Sequence, residues 1–153
     1  MAKASPLFTI GYEKTTPSAV LDELKKARVS LLVDTRAVAA SRKPGFSKRQ
    51  LAASLDEIGI AYLHLQKLGT PAEGREAARK GDIKTLWRIY NRHLKTPEAK
   101  EAMDELLSLL RGKGRICLLC FERDPHICHR SRIADIVHEK TGATISNLIP
   151  RFD

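Results

Sequence analysis

The residues best equipped for chemistry crowd into one run, Cys120-Phe121-Glu122-Arg123-Asp124-Pro125-His126-Ile127-Cys128-His129-Arg130. Thiols, imidazoles, carboxylates and guanidinium groups at this density support three kinds of chemistry. In the first, Cys128, His129 and Arg130 open a helix. Free N–H groups and the helix dipole favour negative charge there. With Arg130 and Arg132 nearby, the Cys128 thiol would then ionise below its usual range. Such a thiolate is a nucleophile, with His129 or His126 as proton carrier and Glu122 as the orienter of that imidazole. The phosphatase-type loop Cys-x5-Arg is not present, because the sixth residue after Cys128 is Ala134.

In the second, Cys120, Cys128 and a nearby His or Glu122 bind zinc, which takes ligands of these types. The spacing is not that of paired Cys-x2-Cys knuckles, and a fourth ligand is not evident. In the third, the helix N-terminus with Arg130, Arg132 and Arg36 holds an anion such as phosphate, whose oxygens match the planar fork of Arg donors. The third reading needs the fewest assumptions and leads, so no cofactor is required and zinc stays an alternative. A purely structural role is also open. Cys120 would then be a small buried apolar residue, Glu122 would cap or pair with Arg130, and His129 would lie at the surface. Cys117, inside an apolar run, reads as core.

A second group, Asp34-Thr35-Arg36, offers a carboxylate that could act as base or take a ribose hydroxyl, or else hold Arg36 in a structural pair. Gly11 and Tyr12 follow an apolar run and read as a tight turn beside a ligand. No Gly-x-Gly-x-x-Gly phosphate loop occurs. His64 alternates with Leu63 and Leu65 and reads as a satisfied core histidine. Ser47 reads as a helix cap, and Trp87 and Tyr90 as the core face of a helix.

The elements that must position these groups are legible as short apolar runs alternating with helical patterns. Strands are predicted at Leu7–Ile10, Ser30–Val33 with Asp34 at its end, Ala61–Leu65, Ile116–Cys120 and Thr144–Ile149. The fourth is a near-continuous apolar run, as in a strand buried on both faces. Helices are predicted after the caps Thr16-Pro17, Ser47 and Thr96-Pro97, over Ile83–Leu94, and from about Ile127 to Lys140 with Gly142 beyond its end. The stretch Gln66–Gly81 reads as a long polar, basic loop. This order predicts an α/β fold: a three-layer α-β-α sandwich on a mostly parallel, Rossmann-like sheet of about five strands. Strand order does not follow from it. The whole chain, 1–153, reads as one α/β domain.

Parallel sheets bind ligands beyond the carboxyl ends of their strands. Those ends carry Gly11, Tyr12, Asp34, Arg36, His64, Cys120 and Glu122, so one edge collects the polar groups. The net charge of +9 attracts anions, and two stretches concentrate it. Positions 36–49 hold five basic residues and no acidic one, and positions 67–95 hold eight basic against three acidic. Aromatic residues make up 5%, too few for an obvious stacking surface. No apolar run approaches the ~20 residues of a membrane helix, and Met1–Pro6 lacks a signal-type apolar stretch. Three cysteines, an odd number in a chain without an export signal, point to reduced thiols in a cytoplasmic setting rather than a disulfide framework.

Thr9-Ile10-Gly11-Tyr12, Asp34-x-Arg36, Pro44-x-Phe46-Ser47, Leu68-Gly69 and Cys120-x-Glu122 followed by Cys128-His129-Arg130 together resemble the domain of unknown function 488 family. The resemblance runs through nearly the whole chain. It implies a small α/β domain whose pattern rests on Gly11, Asp34, Arg36, Cys120, Glu122, Cys128, His129 and Arg130, and it brings no activity with it. Asp34-Thr-Arg36 stands where relatives more often carry Asp-Val-Arg or Asp-Ile-Arg, and Leu68-Gly69-Thr70 where they often carry Leu-Gly-Gly. The functional expectation is a phosphate-bearing ligand, a nucleotide or nucleic-acid end, held at the strand ends. Arg36, Arg130 and Arg132 would hold the anion beside Gly11 and Tyr12. Asp34, Glu122, Cys128 and His129 would do any chemistry. The alternative is a non-catalytic nucleic-acid or interaction module using the basic stretches 36–49 and 67–95.

Overall fold

The computed structural model describes residues 5–153. Most of the Met1–Pro6 stretch read for a signal segment therefore lies outside the described residues. Five strands, β1 (Leu7–Gly11), β2 (Leu31–Asp34), β3 (Ala61–His64), β4 (Ile116–Cys120) and β5 (Ile145–Leu148), form one sheet in the order β3-β2-β4-β1-β5. Every pairing is parallel. The helices are α1 (Pro17–Lys26), α2 (Lys48–Glu57), α3 (Ala72–Arg79), α4 (Ile83–His93), α5 (Pro97–Leu110) and α6 (His129–Thr141). This is the three-layer, Rossmann-like α/β fold that the alternation of elements predicts. Among the described residues no helix is long and apolar enough to cross a membrane.

Sequence accounts for strand position. β4 and β1 are buried along their whole length and lie inside the sheet, where both faces are covered. β3 and β5 are the edges, and they carry the polar residues His64, Ser146 and Asn147. Asn147 is tied inward, accepting a hydrogen bond from Thr9 of β1.

The helix starts at Thr16-Pro17 and Thr96-Pro97 are capped as the sequence predicts, each threonine hydroxyl accepting from the amide three residues on. Ser47 precedes α2 without capping it, because its hydroxyl donates to the Ser41 carbonyl and accepts from the Ser41 amide. The predicted loop Gln66–Gly81 is corrected: it holds a 3-10 turn, Gln66–Leu68, and then α3. Ala72–Arg79 consists mostly of good helix formers. Only Gly74 and Ala77 are buried, so no apolar stripe marks the helix in the sequence. The last helix begins at His129, after a 3-10 turn at Pro125–Ile127.

From β1 the chain steps to β2 and β3 on one side, then returns through β4 to β5 on the other. Right-handed crossovers send the two directions to opposite faces, and two cores result. Phe8, Ile10, Leu32 and Leu119 pack with Val20, Leu24, Leu51 and Leu55 of α1 and α2. Leu7, Val33, Ile116 and Leu118 pack with Met103 and Leu106 of α5 and Ile133 and Val137 of α6. Neighbouring strand residues alternate between these cores. Beyond the neighbours β2 and β4 the chain departs in opposite directions, which opens a crevice at their carboxyl ends.

Candidate functional site

Two clusters of polar side chains flank that crevice. On the face of α1 and α2, Asp34 ends β2 with its side chain completely buried. Its carboxylate accepts from Arg36 Nε at 2.9 Å, from Arg36 Nη2 at 2.7 Å, from the Arg36 amide at 3.1 Å and from the Tyr62 hydroxyl. Arg36 Nη1 donates to the Tyr12 hydroxyl at 3.1 Å and to the Phe46 carbonyl at 2.7 Å. Tyr12 stacks on Phe46 with ring centroids 4.5 Å apart. Burial works against the Arg36 cation, but the Asp34 carboxylate outweighs it and raises the guanidinium above its ordinary value. Burial and the Asp34 hydrogen bond likewise push the Tyr62 phenol up. All three Arg36 nitrogens have partners within the protein, so the guanidinium expected to hold an anion also braces this cluster.

On the face of α6, Cys120 ends β4 and Cys128 precedes α6, both fully buried. Their sulfurs are paired in bonding contact, with Cα atoms 7.3 Å apart. Cys117 is free and buried as core, as expected, while the fold brings the sulfurs of Cys120 and Cys128 together across a Cα span wider than the roughly 4.4–6.8 Å usual for cystine. Sequence spacing conceals the pairing, because the end of β4 meets the start of α6 only in the fold. Arg130 Nη1 donates to Cys120 Sγ at 3.0 Å and to the Glu122 carbonyl at 2.6 Å, and Nη2 donates to the Arg123 carbonyl at 3.3 Å. Arg130 is completely buried and its Nε has no partner among the described residues. Burial brings this guanidinium down to about 10, which leaves it charged at neutral pH.

His129 is buried rather than at the surface. Its Nε2 lies 2.9 Å from the Thr35 carbonyl and 3.0 Å from the Thr35 hydroxyl, which itself donates to the Leu119 carbonyl. A carbonyl only accepts, so Nε2 carries the proton and Nδ1 presents its lone pair. Nδ1 lies 3.8 Å from Cys128 Sγ. Burial holds the imidazole neutral by lowering its pKa to about 4. The Glu122 carboxyl, 3.6 Å from Cys120 Sγ, is pushed up by burial, against the lowering effects of its own backbone N–H and Arg130.

Between the clusters lies a cavity of about 420 Å³, lined by Tyr12, Arg36, Cys120, Glu122, His129 and, from α3, Arg75 and Arg79. That volume is in the range of small-molecule sites. Val38, Phe121 and Ile127 rim it and are exposed. Arg75 commits Nη1 to the Thr70 carbonyl, and Arg79 pairs with Glu76 at the surface.

Two glycines let the walls meet. A Cβ on Gly11 would strike the Glu122 carbonyl, and one on Gly69 would strike the Ala37 backbone. Gly11 is the last residue of β1, not a turn, and close approach is the reason for its size. His126 is exposed and paired with Asp124, and Arg132 reaches Asn91 on α4. His64 is half-buried, with Nε2 2.7 Å from the Arg36 carbonyl. The residues that sequence reasoning missed are Arg75, Arg79 and Thr35. The first two lie in the basic stretch 67–95 but on a helix read as loop, and Thr35 meets His129 through its carbonyl and its hydroxyl, a contact that only the fold creates.

Fold and site together define a small α/β protein with a ligand-sized cavity at the switch point of a parallel sheet, walled by cysteine sulfur, imidazole and carboxyl groups. The chain belongs to the family described as domain of unknown function DUF488, whose model matches residues 16–137. Neither a curated protein nor a solved structure matches the chain.

Proposed function

We propose that the protein binds a phosphate-bearing small molecule of nucleotide size in the cavity between the ends of β2 and β4. One observation carries this reading: Arg75 and Arg79 line the same cavity of about 420 Å³ as the half-buried Glu122 carboxyl. Arg36 braces Asp34, and Arg130 is fully buried against Cys120 and two main-chain carbonyls, so the anion falls to the two α3 arginines, whose planar donor forks suit phosphate oxygens. The apolar rim of Val38, Phe121 and Ile127 suits the body of the ligand. Glu122, favoured in its neutral form by burial, is the group on the wall that can give a proton to a bound ligand and take it back.

Calorimetric titration with inorganic phosphate, mononucleotides and a short oligonucleotide, each at low and high salt, tests the reading. Saturable binding of a mononucleotide, weakened at least about tenfold in the double variant Arg75→Ala/Arg79→Ala, is the expected result; that loss corresponds to about 1.4 kcal/mol. The absence of mononucleotide binding, or affinity indifferent to both arginines, would overturn it. Oligonucleotide binding that falls steeply with salt and ignores the double variant would instead assign the basic stretches 36–49 and 67–95 to nucleic acid.

A further inference from the structure

We propose that Cys120, Cys128 and His129 form a site for a zinc-class divalent cation, with its fourth coordination position turned to the cavity. The inference deepens the cavity reading and rests on it only for that fourth position.

Geometry comes first. The two Sγ atoms and one ring nitrogen of His129 lie within 4.8 Å of one another, and all three side chains are buried. They are fixed by the end of β4 and the start of α6, so ordered elements hold them. The Cys120–Cys128 Cα separation of 7.3 Å exceeds the roughly 4.4–6.8 Å usual for cystine. With the sulfurs turned apart, a backbone span of this width accommodates an ion between the two side chains.

The second observation is independent. His129 gives its Nε2 proton to the Thr35 carbonyl and keeps the Nδ1 lone pair on the side of Cys128. Metal-binding histidines are oriented in this way, through a carbonyl or carboxylate on the far nitrogen. The third is charge. Among the described residues Arg130 is completely buried and has no carboxylate in ion-pair contact, in contrast to Arg36. Cys120 Sγ accepts from it at 3.0 Å. A buried guanidinium needs a compensating anion, and a Cys120 thiolate supplies one.

Two thiolate sulfurs and an imidazole form a soft donor set that selects zinc over magnesium or calcium. Three protein ligands with one open position is the pattern of a catalytic rather than a structural zinc. Cys120 and His129 line the cavity, with Glu122 beside them, so a ligand in the cavity meets the open position. The sulfur-to-sulfur bond and the ion use the same two atoms and exclude one another. The ion therefore belongs to the reduced protein.

The test is cobalt(II) titration of the reduced full chain, purified without oxygen, followed by zinc. One equivalent of cobalt, with thiolate-to-cobalt charge-transfer absorption and tetrahedral ligand-field bands that zinc removes, is expected. Cys128→Ser should abolish the charge-transfer intensity from one sulfur while circular dichroism keeps its helical signal. X-ray absorption on the zinc-loaded wild type, which needs no variant, should count two sulfurs and one imidazole. A reduced wild-type chain with titratable thiols that takes up neither metal would overturn the proposal, as would uptake indifferent to Cys128→Ser. Metal uptake is read without nucleotide. Zinc binding with no mononucleotide binding would thus remove the phosphate reading alone, and the reverse result would remove the zinc site alone.

Discussion

The two clusters at the switch point have similar ingredients and opposite bookkeeping. In the Asp34–Arg36 cluster a buried carboxylate faces a buried guanidinium, and every nitrogen of Arg36 has a partner. In the Cys120–Cys128–His129 cluster the buried Arg130 leans on a sulfur, its Nε is unpartnered among the described residues, and His129 keeps an open lone pair. A buried charge with its partner beside it and its hydrogen bonds complete is what structural clusters look like. Unfilled donors and acceptors next to a cavity leave capacity for a ligand. Both clusters carry perturbed titration, so perturbation alone would not have separated them. Completeness of partners does.

The largest expected effect attacks the complete cluster. Arg36→Met strands the Asp34 carboxylate in the core and should cost about 3–5 kcal/mol of stability, read by urea denaturation. Cobalt uptake per folded molecule should persist. A loss below about 1 kcal/mol would erase the distinction between the clusters.

Next comes pH. His129 has a folded value of about 4 against the ordinary 6.5, so the unfolded chain binds its proton first as pH falls. The contribution of neutral His129 is therefore complete above pH 6.5 and is lost as pH drops through 4. The loss is on the order of 3 kcal/mol in the metal-free chain. Denaturation midpoints at several pH values, compared with those of His129→Gln, isolate it; identical pH profiles would rule it out.

Gly11→Ala presses a methyl group against the Glu122 carbonyl between the clusters and should cost about 1–3 kcal/mol. Thermal denaturation measures the cost, and an unchanged midpoint would show that the β1 end has room to give. The smallest effect belongs to Glu122→Gln. Glutamine keeps the shape and the hydrogen-bonding capacity of the side chain, so stability should change by less than about 1 kcal/mol. The pH dependence of ligand binding should shrink in this variant to what the phosphate's own ionisation contributes. A large stability loss would move Glu122 into the structural cluster.

Much of the fold was legible because its signals are local. Thr16-Pro17 and Thr96-Pro97 carry their own capping chemistry, and Ile116–Cys120 reads as an interior strand from apolarity alone. α3 escaped because a helix with two small buried residues leaves no stripe to read. Among site residues, Cys120, Glu122, Cys128 and His129 announced themselves by density. Arg36 and Arg130 were recognised as important, but their role turns on who satisfies their donors, and sequence is silent on that.

Taken alone, the sequence determined the alternation of elements, the helix starts and the crowding of reactive groups after β4, since each depends on residues within a turn or two of one another. The tertiary structure decided the order β3-β2-β4-β1-β5, and with it everything at the switch point. Placing β4 between β1 and β2 brings Thr35 to His129, Glu122 to Gly11 and α3 over the cavity. Those contacts join residues far apart in the chain, and their free energy lies in packing and buried hydrogen bonds that no local pattern encodes.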